Sequence, residues 1–204
     1  MHNHIHIFDT CRKVRYDVKV VLMMTDNEVS FVLKSFLPDE FVKSVFHIKP
    51  EVLKDKGIKG IITDLDNTLV EWDRAEATAE IQEWFANMKQ NNIKVIIVSN
   101  NNYERVRDFA KPIGIPFIYK ARKPLMRAFL MGMKMMKLKK EETVVIGDQL
   151  LTDVFGGNRA GFHTILVIPV AKTDGFKTKF NRIIERRIMA SFKRKGLIKW
   201  EDEM

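Results

Sequence analysis

Five short apolar runs, separated by stretches of helical periodicity, restrict what this chain can fold into more than any other feature. They are Ile61–Ile62, Val95–Val98, Ile115–Ile118, Thr143–Ile146 and His163–Ile168. Between the first two, Ala75–Gln90 places Ile81, Trp84, Phe85 and Met88 at helical spacing before Asn91 and Asn92 interrupt it. Tyr103–Ala110 reads as the next helix, with Pro112 and Gly114 as breakers. Leu125–Met136 reads as another, whose methionines suit packing on a sheet. Asp153–Asn158 reads as a loop or short helix. Regular strand–helix alternation predicts an α/β fold with a mostly parallel five-stranded sheet covered by helices on both faces.

Polar residues recur at or just beyond the ends of these runs: Asp64 and Asp66, Ser99, Lys123, Asp148. In an open parallel sheet ligands sit at the carboxyl ends of the strands, so residues from four strand exits are expected to meet in one crevice. Carboxylates placed there are reagents more readily than solubilising groups.

That inventory fits phosphoryl transfer. Asp64 can attack phosphorus and Asp66 can move a proton beside it, splitting one displacement into two. The carboxylates repel an anionic substrate, and Mg²⁺ relieves that repulsion. The ion takes oxygen ligands, for which Asp64, Asp148 and the backbone carbonyl of Asp66 suffice. Asp153 can orient a metal-bound water. Lys123 can neutralise Asp64 and a phosphate oxygen, Ser99 and the amide of Asn100 can hold another, and Thr68 can brace the nucleophile's loop.

Asp64-Leu-Asp-Asn-Thr68, Val98-Ser-Asn100, Lys123-Pro124 and Gly147-Asp-Gln-Leu-Leu-Thr-Asp153 resemble, in order, the four signature motifs of haloacid dehalogenase superfamily phosphatases. The resemblance implies an Asp nucleophile, an Asp acid/base, Mg²⁺ and a Rossmann-like three-layer sandwich. A closer likeness, over about Leu33–Trp200, is to the YqeG-like, type IIIA phosphatases. It is carried by Phe36-Leu-Pro-Asp-Glu-Phe41, Asp64 to Trp72, Ser99-Asn-Asn-Asn102, Pro116 to Pro124 and Gly156-Gly-Asn-Arg159. That group is similar to phosphatidylglycerophosphate phosphatases, which implies a lipid phosphomonoester as substrate.

Two features bear on the substrate independently. Leu69–Val98 is consumed by one helix and one strand, and Asn101–Arg122 is shorter, so no cap domain fits in either place. The open crevice admits a lipid headgroup, a protein or a nucleic-acid end. The second feature is charge: of the chain's net +9, an excess of eight lies between Ala171 and Lys199, ten Lys and Arg against Asp174 and Glu185. There Phe176, Phe180, Ile183, Ile184, Ile188 and Phe192 recur at helical spacing among basic residues. A basic amphipathic helix suits an anionic membrane surface; equally, its apolar stripe can pack on the domain with the charges solvated. A soluble phosphate ester, a nucleotide or a nucleic-acid end remains a second class of substrate. An RNA- or protein-binding module is a third reading.

The 204 residues predict a phosphatase domain over 33–170, an N-terminal extension over 1–32 and the basic tail over 171–204. His2, His4 and His6 complete no recognisable ligand set, and the Val20–Met24 run after Arg12, Lys13 and Arg15 is short for a secretory signal. The extension is expected to be disordered or a start-site artefact, with translation beginning near Val32. Leu33–His47 reads as an amphipathic arm along the domain's side, its helix starting at Asp39; a membrane-contacting helix is the alternative. The single cysteine, Cys11, forms no intrachain disulfide, and no apolar run approaches the ~20 residues needed to cross a bilayer. A cytoplasmic protein, peripheral at the inner face of the membrane, is the expectation.

Overall fold

The computed structural model describes residues 33–171 and 176–198, and in the latter segment side chains from residue 181 onward. His2, His4, His6, Cys11 and the apolar positions Phe176 and Phe180 of the tail therefore lie outside what is described below.

All five expected strands are present: β2 (Gly60–Thr63), β3 (Lys94–Val98), β4 (Phe117–Ile118), β5 (Thr143–Gly147) and β6 (His163–Val167). A sixth, β1 (Glu40–Val42), joins them, and the sheet runs β1-β6-β5-β2-β3-β4 with every pair parallel. From β2 the chain proceeds outward through β3 and β4, then returns to add β5 and β6 on the other side. The order thus reverses between β2 and β5, the place where open α/β sheets bind ligands.

Strand β1 corrects the helical arm expected over Leu33–His47. Apolar spacing there imitates a helix, but the partner decides. Thr164 donates its amide to the Asp39 carboxylate at 2.7 Å, and the Asp39 amide donates to the Thr164 carbonyl at 3.0 Å. These bonds zip residues 40–42 onto β6, which would otherwise present a bare sheet edge.

Alternation along the central strands builds two cores. Ile61, Val95, Ile97 and Val144 face one side with helix α2 (Ala79–Gln90) and helix α3 (Tyr103–Ala110), while α1 (Pro50–Asp55) adds Leu53 to the same cluster. Ile62, Ile96, Val98 and Val145 face the other side with α4 (Met126–Met136) and α5 (Phe155–Ala160). The result is helix–sheet–helix, with each fully buried Ile or Val contributing roughly 1.5–3 kcal/mol relative to exposure. Ile81, Trp84, Phe85 and Met88 of α2 are all buried, and its first turn is capped by Thr78, whose hydroxyl accepts from the Ile81 amide at 3.3 Å.

Between β2 and β3 the only helix is α2, and between β3 and β4 the only helix is α3; neither crossover holds an inserted domain. The tail forms α6 (Phe176–Arg194), whose Ile188 and Met189 pack on Leu150, Val154 and Leu166, and whose Phe192 is buried. Part of the tail's apolar stripe therefore covers the domain. Ile183 does not, and is exposed.

Candidate active site

The pairing that makes β2 continues one residue past the strand, because the Asp64 amide donates to the Ile146 carbonyl at 2.9 Å. Asp64 is thereby held beside the end of β5, where Gly147 and Asp148 emerge. A tight turn follows, with Leu69 N–H donating to Leu65 O at 3.0 Å and Asn67 N–H to Val70 O at 2.7 Å. Asn67 takes a left-handed φ of 63°, which Asn tolerates better than most residues. This turn brings Thr68 back across the switch point, where its hydroxyl donates to Asp148 Oδ1 at 3.1 Å. Thr68 thus braces the acid of β5 as well as its own loop.

Lys123 reaches this group from the loop after β4. Its Nζ lies 2.7 Å from Asp64 Oδ1 and 2.7 Å from Asp153 Oδ1, with the lysine side chain only 2% exposed. Asn100 holds that loop in place: its Oδ1 accepts from the Lys123 amide at 2.7 Å, and its Nδ2 donates to the Lys123 carbonyl at 3.2 Å. Ser99, also buried, accepts the Asn101 amide on its hydroxyl at 3.1 Å. Asp153 sits in a π-helical turn, Leu150–Val154, and its Oδ2 accepts from the Gln149 amide at 3.3 Å and the Thr152 hydroxyl at 3.2 Å.

Asp64, Asp148 and Asp153 are all buried and each offers an oxygen within 4.8 Å of the others. With all three ionised and Lys123 counted against them, the centre would carry −2, the complement of one divalent ion. Crowding raises proton affinity among these carboxyls. Burial pushes Asp148 up to about 8 even against the Arg182 guanidinium, with Asp64 and Asp153 adding to the rise. Burial pushes Asp153 to about 6 against the pull of Lys123. For Lys123 burial favours the neutral amine, but Asp153 and Asp64 overcome it and hold the ammonium charged beyond the usual lysine range. A buried, all-oxygen donor set with a net charge of −2 fits a hard divalent cation.

Asp66 lies apart from the three. Its carboxylate accepts from Asn101 Nδ2 at 3.0 Å and Arg105 Nε at 3.0 Å, with Arg105 Nη2 2.8 Å away. Burial raises its proton affinity and the charge of Asp64 raises it further, while Asn101 and Arg105 act in the opposite sense. A carboxyl whose proton affinity is raised beside a second motif acid is an arrangement suited to acid–base work.

Every residue expected at the site is therefore joined in one network of contacts at the carboxyl edge of the sheet. Four that sequence reasoning missed are there too: Asn101, Arg105, Arg182 and Glu185. Asn101 had a signal, the run of three asparagines after Ser99. Arg105 had none beyond its place in the first turn of α3, and Arg182 and Glu185 were counted only in the charge of the tail.

Gly147 shows how tightly the centre is packed. A Cβ there would lie 2.2 Å from Asp153 Cγ and 2.5 Å from its Oδ2, so the carboxylate would have to move off Lys123. Gly147→Ala is expected to destabilise the fold by about 1–3 kcal/mol through overpacking and to lower turnover at least about tenfold by displacing a group beside the reacting atoms. Thermal melts and phosphate release check both; wild-type values for the two would mean that Asp153 has room to shift.

Residues 39–161 match the family model of the haloacid dehalogenase-like hydrolases. The chain is 66% identical over 169 residues, 83% of this chain and 98% of the other, to the "Probable phosphatase YqeG" of Bacillus subtilis (strain 168). It is 30% identical over 185 residues to the chloroplastic/mitochondrial phosphatidylglycerophosphate phosphatase 1 of Arabidopsis thaliana, covering 84% of this chain but 53% of that one, about half its length. Among solved structures, the cobalt-bound deoxy-D-mannose-octulosonate 8-phosphate phosphatase of Haemophilus influenzae is 21% identical with a TM-score of 0.42, covering 46% of this chain and 60% of that one. With the family match spanning β1 through α5 and the four motifs converging on one buried acidic cluster, this chain belongs to the haloacid dehalogenase-like hydrolases and is a phosphatase of that family.

Proposed function

We propose that the protein is a Mg²⁺-dependent phosphomonoesterase that works through an aspartyl phosphate on Asp64, and that its substrate is an anionic lipid phosphate, phosphatidylglycerophosphate first among them. The observation that carries the mechanism is the buried cluster of Asp64, Asp148 and Asp153, with Lys123 paired to Asp64 and Asp153, and Asp66 held separately by Arg105.

Asp64, Asp148 and the Asp66 carbonyl would hold the ion. When bound, it would offset the substrate's charge and draw electron density from the phosphoryl oxygens. Lys123 places its ammonium 2.7 Å from Asp64 Oδ1 and so orients the carboxylate that attacks. A carboxylate oxygen of Asp64 forms the bond to phosphorus as the ester bond breaks, and Asp66 gives its proton to the departing alkoxide. Asp66, now ionised and steadied by Arg105 and Asn101, then takes a proton from a water that attacks phosphorus. Phosphate leaves and Asp64 is restored. Ser99 and the amide of Asn100 bind phosphoryl oxygens, and Lys123 supplies a fixed positive charge as negative charge develops.

Two observations favour a lipid. Neither the β2–β3 nor the β3–β4 crossover inserts a domain, which a large substrate such as a headgroup at a bilayer requires. The described part of α6 also leaves Ile183, Arg186, Arg187 and Arg194 exposed, a basic face with an apolar member that suits an anionic surface. The Arabidopsis relative, named as a phosphatidylglycerophosphate phosphatase, points the same way. No described helix is long and apolar enough to cross a membrane, so contact would be peripheral.

The test is phosphate release from phosphatidylglycerophosphate in mixed micelles beside a panel of soluble sugar phosphates and nucleotides, with and without a chelator. Turnover concentrated on the lipid, lost with the metal and restored by Mg²⁺, is the expected result. Turnover confined to soluble esters would keep the mechanism and discard the lipid, and no turnover of anything would favour a binding module.

A further inference from the structure

The tail helix does more than cover the sheet: α6 places Arg182 and Glu185, one turn apart, against the loop that carries Asp148. Arg182 Nη1 donates to the Asp148 carbonyl at 2.8 Å, and its Nη2 contacts Asp148 Oδ2. The same Nη1 donates to Glu185 Oε2 at 3.0 Å, while Glu185 Oε1 accepts from the Leu151 amide at 3.1 Å. Backbone carbonyl, carboxylate and the amide three residues on are thus all gripped from one helix. Glu185 is buried, and the side chain of Asp148 is fully so.

From this geometry we infer that Arg182, seated by Glu185, is the positioning residue that orients Asp148 as a metal ligand, so that the C-terminal helix is part of the catalytic centre. The inference rests on the metal-centre reading above.

Two physical points favour orientation over competition with the ion. Each carboxylate oxygen has two lone pairs, so after accepting from Thr68 on Oδ1 and Arg182 on Oδ2, Asp148 still has one on each oxygen to give. Glu185 also matches the charge of Arg182, so the pair leaves the net −2 of the three aspartates and Lys123 unchanged. Without Arg182, Thr68 alone among the described residues would fix the Asp148 carboxylate, in a buried site where ligand orientation depends on such outer partners.

The experiment uses the full chain and Mn²⁺, whose free-ion electron paramagnetic resonance signal disappears on binding. Arg182→Ala is expected to remain folded, since Ile188, Met189 and Phe192 still dock the helix, but to bind Mn²⁺ about ten- to a hundredfold more weakly. Arg182→Lys keeps the charge but cannot grip the carboxylate, the carbonyl and Glu185 together, and recovers only part of the affinity. Glu185→Gln, which loosens the seat while leaving the guanidinium, gives a smaller weakening and serves if Arg182→Ala does not fold. Mn²⁺ affinity equal to or tighter than wild type in Arg182→Ala, or in Glu185→Gln where the alanine variant is unfolded, overturns the inference. A wild-type protein that binds no Mn²⁺ overturns the metal-centre reading itself.

Discussion

Asp64→Asn is expected to cut phosphatase turnover on the order of ten-thousandfold or more while leaving the protein folded. The amide keeps the shape of the carboxylate, and the backbone bond from residue 64 to Ile146 is untouched. Lys123 retains Asp153 as its partner at 2.7 Å, so the buried ammonium is not orphaned. What is lost is the anionic oxygen that would bond to phosphorus, and no neighbour replaces it: Asp148 is held by Thr68 and Arg182, and Asp153 by Lys123, Gln149 and Thr152. Turnover measured beside a thermal melt separates the two effects. A loss of only a few fold with the fold intact would mean that Asp64 is not the group that attacks.

The largest effect on stability is expected at Lys123. Lys123→Met removes the cation between two buried carboxylates and should destabilise the metal-free protein by about 3–5 kcal/mol, besides abolishing activity. The pH dependence follows from linkage. The buried carboxyls Asp148 and Asp153 already hold protons to higher pH in the fold than in the unfolded chain, with Asp148 raised to about 8. A group of that kind binds more protons folded than unfolded, so its contribution to stability falls as pH rises from the ordinary carboxylate range toward its folded value. Losing Lys123 removes the charge that lowers Asp153 and pushes that carboxyl further the same way. Chemical denaturation of the chelated variant should therefore show its deficit growing as pH rises through about 6 and beyond. A deficit that shrinks as pH rises would contradict the charge assignment of the centre.

What could be read from the sequence was whatever depended on strand ends. Asp64, Lys123 and Asp148 could be placed together because a parallel sheet delivers the carboxyl ends of its strands to one edge, and the structure brings them there. Glu40–Val42 was misread because its apolar spacing fits a helix as well as a strand, and only the bonds from Asp39 to Thr164 decide between them. Arg105 and Arg182 escaped for another reason. Each is one arginine among many on a basic chain, and what distinguishes it is a helix docking that carries it to Asp66 or Asp148. The tail shows both outcomes at once: Ile188 and Phe192 of its apolar stripe pack on the domain, whereas Ile183 and several arginines stay exposed.

The central claim is that Asp64 becomes phosphorylated during turnover. It is tested most directly by quenching the enzyme with acid within a single turnover of substrate and Mg²⁺, then mapping the phosphorylated peptide by mass spectrometry. The account predicts one phosphoryl group on Asp64, formed and lost at rates that match phosphate release and absent from Asp64→Asn. Phosphate release at full rate with no phosphorylated peptide at any time, or with the label on a different residue, would contradict it.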